Sequence, residues 1–538
     1  MAWYDEAVFY HIYPLGMTGA PKQNVYGNTE HRLNNLLPFI PKIKELGCNA
    51  IYIGPLFESV GHGYETTDYK KLDSRLGTNE DLTEFVAQCH SQGMRVVLDG
   101  VFNHTGRDFF AFQDIKRNRE ASEYKDWYSN VNFYGNNEYN DGFSYDNWGG
   151  YNLLAKLNQQ NIAVREYISN VIRFWVKEFD IDGIRLDAAD VLDFDFMKML
   201  RCVADEVKTD FWLMGEVIHG DYIRWVNEDT LHCVTNYHLH KALYSGHNDR
   251  NYFEIAHTVN RLYEMGSNRP DGLKLYNFTD NHDVERIYTK LSNKKHFMPV
   301  HVLLYTLPGI PSVYYGSELG IEGKKQQGSD DLLRPAISYE QYVKAALDND
   351  FKTLVARLGK IRSEIKALSY GDYKELALTN GQYAFSRSFN GQTVIVTVNN
   401  SGDDCVMSIP VSAVGEYTGG LSGENVSAKD GVMTVNVMAD SGDIWLPSVC
   451  CENEIQPVAL DICHNTDVEE ETRSVAAFKE EIICKPDLKK SYEDMTIEEL
   501  QAAILERMRQ NGPVTEQMKK DVFENVYHNS LVTWIKSF

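Results

Sequence analysis

Most of the features that would tie a chain to a membrane, to nucleic acid or to an oxidising compartment are missing from these 538 residues. No apolar stretch approaches the roughly 18 residues of a spanning helix, so no transmembrane segment is expected. The amino terminus, MAWYDEAVFY, has neither a basic segment nor a long apolar core, so no secretory leader is expected. Positive charge is short: 53 Lys and Arg stand against 77 Asp and Glu, for a net charge of −24. That balance argues against nucleic acid and anionic lipid as partners and suits a neutral substrate. Cysteine is sparse, nine in all, with no CxxC pair, and the adjacent Cys450 and Cys451 are badly placed to bridge each other. Reduced thiols and a cytoplasmic location are expected.

What is present is regular alternation. Apolar runs at 7–13, 49–55, 95–102, 183–187, 211–217, 231–236, 273–281 and 312–318 read as strands. Helical patterns separate them, among them 31–46 ending at Gly47, 79–92 with Asn79 as the expected cap, 161–178, 193–208, 297–307 and 340–367. Strand–helix alternation over this length predicts a (β/α)8 barrel across 1–103 and 152–369. Residues 104–151 have no clear period and are read as a domain inserted after strand three. Short alternating runs with Asn-Gly turns at 380–381 and 390–391 predict an antiparallel β-sandwich over 370–447. The rest, 448–538, reads as an acidic linker and a helical tail. Thr496 and Glu499 form its capping box, a second helix follows at 514–530, and Trp534, Ile535 and Phe538 are expected to dock.

GIRLDAAD, 183–190, is the most informative stretch. Period 2 puts Arg185 and Asp187 on one face at the carboxyl end of strand four, where barrels place catalysis. An Arg beside it is expected to keep Asp187 ionised. Three other segments stand at strand ends: DGVFNH (99–104), Glu216 in GEVIHGD, and FTDNHD (278–283). Glu216 follows the apolar FWLM, so burial and neighbouring carboxylates are expected to raise its pKa toward that of a general acid. Asp283 would add negative charge where an oxocarbenium-like centre develops. His104 and His282 offer hydrogen bonds to hydroxyls without fixed charge, and Tyr64 an aromatic face.

These four segments, with HGYETTDY (62–69), TLPGIPSVYYGSELG (306–320) and RPA (334–336), resemble the α-amylase family of glycoside hydrolases over about 7–447. The resemblance implies retaining cleavage of α-glucan oligosaccharides, with Asp187 as nucleophile, Glu216 as acid/base and Asp283 as transition-state stabiliser. Tyr64, His104, Arg185, His282 and Arg334 would bind substrate. Two alternatives remain open: a 4-α-glucanotransferase with the same site, and a non-catalytic carbohydrate-binding homologue.

The departures from the family pattern carry information. At LAKLN (154–158), Lys156 stands where many members have an Asp that ligates calcium, although Asn103 matches another family ligand. An ammonium cannot ligate a cation, so no metal and no cofactor is expected. The Lys form and GEVIH are similar to the neopullulanase and cyclomaltodextrinase branch. That branch carries an N-terminal β-domain, absent ahead of strand one here, and often a Trp where this chain has Ile218.

Overall fold

The computed structural model describes residues 2–266, 273–411, 415–448 and four residues between 500 and 504. The expected tail helices, the acidic run and Cys450–Cys451 lie outside the described residues.

Eight parallel strands form the barrel: β1 Phe9–Ile12, β2 Ala50–Ile53, β3 Arg95–Gly100, β4 Gly183–Leu186, β5 Trp212–Gly215, β6 Cys233–Val234, β7 Tyr276–Phe278 and β8 Ile310–Tyr314. Their order is β6-β5-β4-β3-β2-β1-β8-β7, and a parallel bridge from Thr235 to Tyr276 brings the two ends together. Each strand is shorter than its apolar run, because the run continues into buried loop at either end. The strands are apolar on both faces because both are covered. Phe9, Tyr52, Val97, Trp212, Met214 and Phe278 fill the barrel interior. Ile51, Val96, Leu98, Ile184 and Leu213 face the surrounding helices.

Local chemistry sets the helix ends, not always where the pattern suggests. The helix Asn79–Ser91 is capped by Thr78, one residue before the expected Asn79, in a capping box with Asp81. Asn79 is used otherwise: its side chain accepts from Leu72 N at 2.9 Å. The expected helix at 31–46 is a 3-10 turn, Arg32–Leu36, followed by Phe39–Glu45. The long pattern at 340–367 is three helices, Tyr339–Ala346, Asp350–Glu364 and Lys366–Tyr370. Asp348, with φ of 52°, turns the chain between the first two.

The inserted segment is ordered despite its aperiodic sequence. It holds the helix Phe110–Asn118 and a three-stranded sheet in which Tyr151–Lys156 lies between His104–Gly106 and Asn147–Trp148. The last strand runs on to Lys156 before the chain re-enters the barrel through Ile162–Phe179, which Asn161 caps by accepting from Ala163 N and Val164 N.

Downstream come eight antiparallel strands: β9 Lys374–Leu378, β10 Gln382–Phe389, β11 Gln392–Asn399, β12 Cys405–Pro410, β13 Gly415–Gly419, β14 Asn425–Lys429, β15 Val432–Val437 and β16 Ser441–Pro447. Their order is β9-β10-β11-β16-β13-β14-β15-β12. Alternate residues of β10, β11 and β16 serve two cores. Ala384, Ile395 and Trp445 pack inside the sheet, while Tyr383, Val396 and Ile444 pack on the barrel side.

Candidate active site

Strand register assembles the site. Asp99 and Arg185 are direct partners across β3 and β4, so both leave the sheet side by side at its carboxyl end. The space is tight. A Cβ on Gly54 would lie 2.3 Å from Asp99 Cβ, so the end of β2 admits only glycine beside that carboxylate. Gly215, just before Glu216, would put a Cβ 2.8 Å from that of Ala189.

Arg185 is the hub. Its Nη1 donates to Asp99 Oδ1 at 2.8 Å and to Asp187 Oδ1 at 2.9 Å, and its Nη2 lies 2.8 Å from Glu216 Oε2. Its side chain is only 4% exposed. Three carboxylates facing one guanidinium leave an excess of negative charge in a buried place, which favours keeping a proton in the cluster. Arg185 is therefore not the only influence on Asp187. Burial pushes the Asp187 carboxyl well above the ordinary range; Arg185 opposes this, and Glu216 and Asp99 add to it.

The turn after β4 sharpens the pair. Ala188 sits at φ 47° and ψ 43°, a left-handed conformation that costs a non-glycine residue about 1 kcal/mol or more. That turn aims its N–H at Glu216 Oε2, 3.1 Å away.

A second cluster forms around the end of β7. His282 Nε2 is 2.5 Å from the Tyr64 hydroxyl and 3.1 Å from Asp283 Oδ2. The Tyr64 hydroxyl also donates to Asp99 Oδ2 at 3.2 Å, which joins the two clusters. Arg334 donates from Nη2 to Asp283 Oδ1 at 2.8 Å and from Nε to the His282 carbonyl at 2.9 Å. Burial alone would raise Asp283, but His282, Arg334 and Arg185 outweigh it and hold the carboxyl well below the ordinary range. Asp283 and Asp187 are thus pushed in opposite directions by their surroundings. The geometry binds Arg334 to Asp283 and Asp330.

His104 stands apart from both clusters. Its Nδ1 faces Asn103 Nδ2 at 3.2 Å, and its ring lies 6.1 Å from that of Trp148. Burial pushes it down to about 3, so it is neutral. Its Nε2 is buried without a partner among the described residues, as suits a donor or acceptor for a sugar hydroxyl.

Four residues of the site escaped sequence reasoning. Asp99 opens the DGVFNH motif and accepts from Arg185, Tyr52 and Tyr64, yet the motif gave no reason to single it out. Tyr13 stacks on His282, with centroids 5.7 Å apart at 14°. Tyr237, after β6, donates to Glu216 Oε1 at 3.3 Å, and Asn281 donates to Tyr237. A polar residue straight after a barrel strand was the available signal for Tyr237.

Lys156 stands at the position where the family pattern has its calcium-ligating Asp, and it is the register partner of His104. Asn103 Oδ1 already accepts from Gln159 Nε2 at 3.2 Å. Among the described residues, no group of three or more His, Cys, Asp or Glu side chains is placed to hold a metal ion.

A closed parallel barrel with carboxylates and an arginine at the carboxyl ends of β3, β4, β5 and β7 defines a barrel glycosidase. Comparison gives the family: the chain belongs to the α-amylase family of glycoside hydrolases. The model of the alpha amylase catalytic domain matches residues 33–360, and that of the alpha-amylase C-terminal domain matches 371–445. The chain is 32% identical over 423 residues to a cyclomaltodextrinase of Thermoanaerobacter pseudethanolicus, covering 74% of this chain and 71% of that one. It is 28% identical over 418 residues to an intracellular maltogenic amylase of Bacillus subtilis, covering 74% and 69%. A solved cyclomaltodextrinase superposes with a TM-score of 0.72 at 26% identity, over 82% of this chain and 78% of that one.

Proposed function

We propose that the protein is a retaining hydrolase of short maltodextrins that cleaves α-1,4 and α-1,6 glucosidic bonds by double displacement. The observation that carries this is the shared guanidinium: Arg185 holds Asp187 and Glu216 at 2.9 and 2.8 Å, so the two carboxyl groups face one place. A retaining glycosidase needs two carboxyl groups on one bond, one ionised to attack and one protonated to donate. Asp187 bonds the anomeric carbon as Glu216 gives its proton to the leaving oxygen. Water then loses a proton to Glu216 as it releases the ester. Asp283, ionised throughout, faces the positive charge that develops at the ring. Tyr64, His104 and His282 hold the reacting glucose, and Arg334 holds Asp283.

The substrate is a neutral oligosaccharide, and neither nucleic acid nor membrane is a partner. No helix among the described residues is long and apolar enough to cross a membrane. The intracellular maltogenic amylase relative and the scarcity of cysteine support a cytoplasmic location. Lys156 in place of the family's calcium-ligating Asp supports activity without calcium.

The test is a timed product profile on maltotriose, maltoheptaose, a cyclodextrin, pullulan and panose, with Asp187→Asn as control. Glucose and maltose as end products are expected. Products longer than the maltotriose supplied would make the protein a glucanotransferase, and substantial turnover by Asp187→Asn would overturn the assignment.

A further inference from the structure

The Glu216 carboxyl is asymmetric. Its Oε2 accepts from Ala188 N at 3.1 Å and from Arg185 Nη2 at 2.8 Å. A proton on that oxygen would point an acidic O–H at two N–H donors, so Oε2 is the anchored oxygen. Oε1 meets one protein group among the described residues, the Tyr237 hydroxyl at 3.3 Å. It alone has a site free to carry a proton.

The direction of the Tyr237 hydroxyl is set from behind. Asn281 Oδ1 accepts from Asp283 N at 2.8 Å and from Val284 N at 3.1 Å. That orients the amide, so its Nδ2 is the end that faces Tyr237, 3.2 Å from the hydroxyl oxygen. An N–H can only donate, which leaves the hydroxyl's own proton for Glu216. The next residues back add support. Thr235 Oγ1 accepts from Val217 N at 3.0 Å and donates to Val217 O at 3.1 Å, clamping the backbone just past Glu216. Asn236 caps the helix Tyr237–Asn248 and thereby fixes the base of the Tyr237 side chain. The Tyr237 ring packs edge-on against Phe278, with centroids 5.0 Å apart.

We propose that Tyr237 is a positioning residue for the acid/base. Its hydroxyl, aimed by Asn281, makes Glu216 Oε1 the oxygen that gives up and recovers the leaving-group proton. This rests on the double-displacement reading above. In the first step the Oε1 proton passes to the glycosidic oxygen, the bond from that oxygen to the anomeric carbon breaks, and an Asp187 oxygen bonds the same carbon. The charge left on Oε1 then meets the Tyr237 O–H. In the second step water loses a proton to Oε1 while its oxygen displaces Asp187. The same link ties the acid/base to the segment that carries Asp283. The charged and titratable groups around Glu216 are Arg185 and Asp187 from β4 and its end, Asp99 behind Arg185, Tyr237 after β6 and Asp283 after β7.

The experiment is Tyr237→Phe, which keeps the ring on Phe278 and removes only the hydroxyl. It is assayed with maltotriose and with α-maltosyl fluoride, whose leaving group needs little protonation. Removing a donor to the charge left on Oε1 makes that charged form less favourable, so the basic limb of kcat/KM for maltotriose should move to higher pH by about half a unit or more. Turnover of maltotriose should fall about ten-fold, and that of the fluoride much less. The melting temperature should hold. An equal loss on both substrates with an unmoved pH profile would show a structural prop and overturn the proposal, as would unchanged kinetics. Wild-type protein that turns over neither substrate would instead overturn the hydrolase reading, and this inference with it.

Discussion

Asp99 grips Arg185 with both of its carboxylate oxygens, at 2.8 and 3.1 Å from Nη1, and both side chains are almost wholly buried. One of the two nearest counter-charges of Arg185 is therefore a residue of the neighbouring strand, and the contact with Asp187 is one of three. Asp99→Asn keeps the shape and removes one negative charge. Asp99 contributes to raising Asp187, so its loss should lower the Asp187 pKa and move the acidic limb of kcat/KM to lower pH. Stability should fall by about 3 kcal/mol, because a buried guanidinium loses a charged partner. A pH–rate profile and a denaturant titration check the two effects.

Asp187→Asn should abolish turnover and leave the protein at least as stable at neutral pH. The folded-state pKa of Asp187 lies above its unfolded value. Its stabilising contribution is present in acid, below the ordinary carboxylate pKa, and is lost as pH rises through the raised value. An amide carries no such cost. Thermal melts at pH 5 and pH 8 should show the variant gaining on the wild type at the higher pH.

Glu318 is fully buried. It accepts from the Tyr10 hydroxyl at 2.6 Å through Oε1, and its Oε2 has no partner among the described residues. Burial raises it to about 7. Stability from its neutral form is complete below about pH 4.5 and lost as pH rises through about 7. The shift corresponds to roughly 3 kcal/mol at most. Glu318→Gln should therefore flatten the fall in stability between pH 5 and pH 8, measured by chemical denaturation. An unchanged slope would place the titrating group elsewhere.

A calcium chelator should leave both activity and melting temperature unchanged. Lys156 replaces the family's calcium-ligating Asp, and the Asn103 side-chain oxygen already accepts from Gln159. A melting temperature that falls on chelation would reveal a metal bound at some other set of oxygens.

Asp187 and Glu216 were legible as strand-end residues because each stands directly after a barrel strand, and Asp283 follows β7 by a short turn; the roles proposed for them came from the resemblance to the family. The upward push on the Asp187 carboxyl was not legible, because it comes first from burial in the closed barrel and then from groups such as Asp99, which is 86 residues from Arg185 and reaches it only through strand pairing. The order within 104–151 was hidden for a similar reason. One edge of its sheet pairs residues about fifty apart, so His104–Gly106 has no local partner, and strands this short lack a clean period.

By itself the sequence determined the alternation of strand and helix, hence the barrel, and the positions at which functional groups leave it. It also determined the surplus of negative charge and the lysine at the calcium position. Only the tertiary structure decided how one guanidinium is divided among three carboxylates, which oxygen of Glu216 is anchored, and that Arg334 serves Asp283. The reason is physical. Periodicity and side-chain type are local properties, read within a few residues. Charge state and hydrogen-bond direction depend on everything within a few ångströms, and in a closed barrel those neighbours come from every strand.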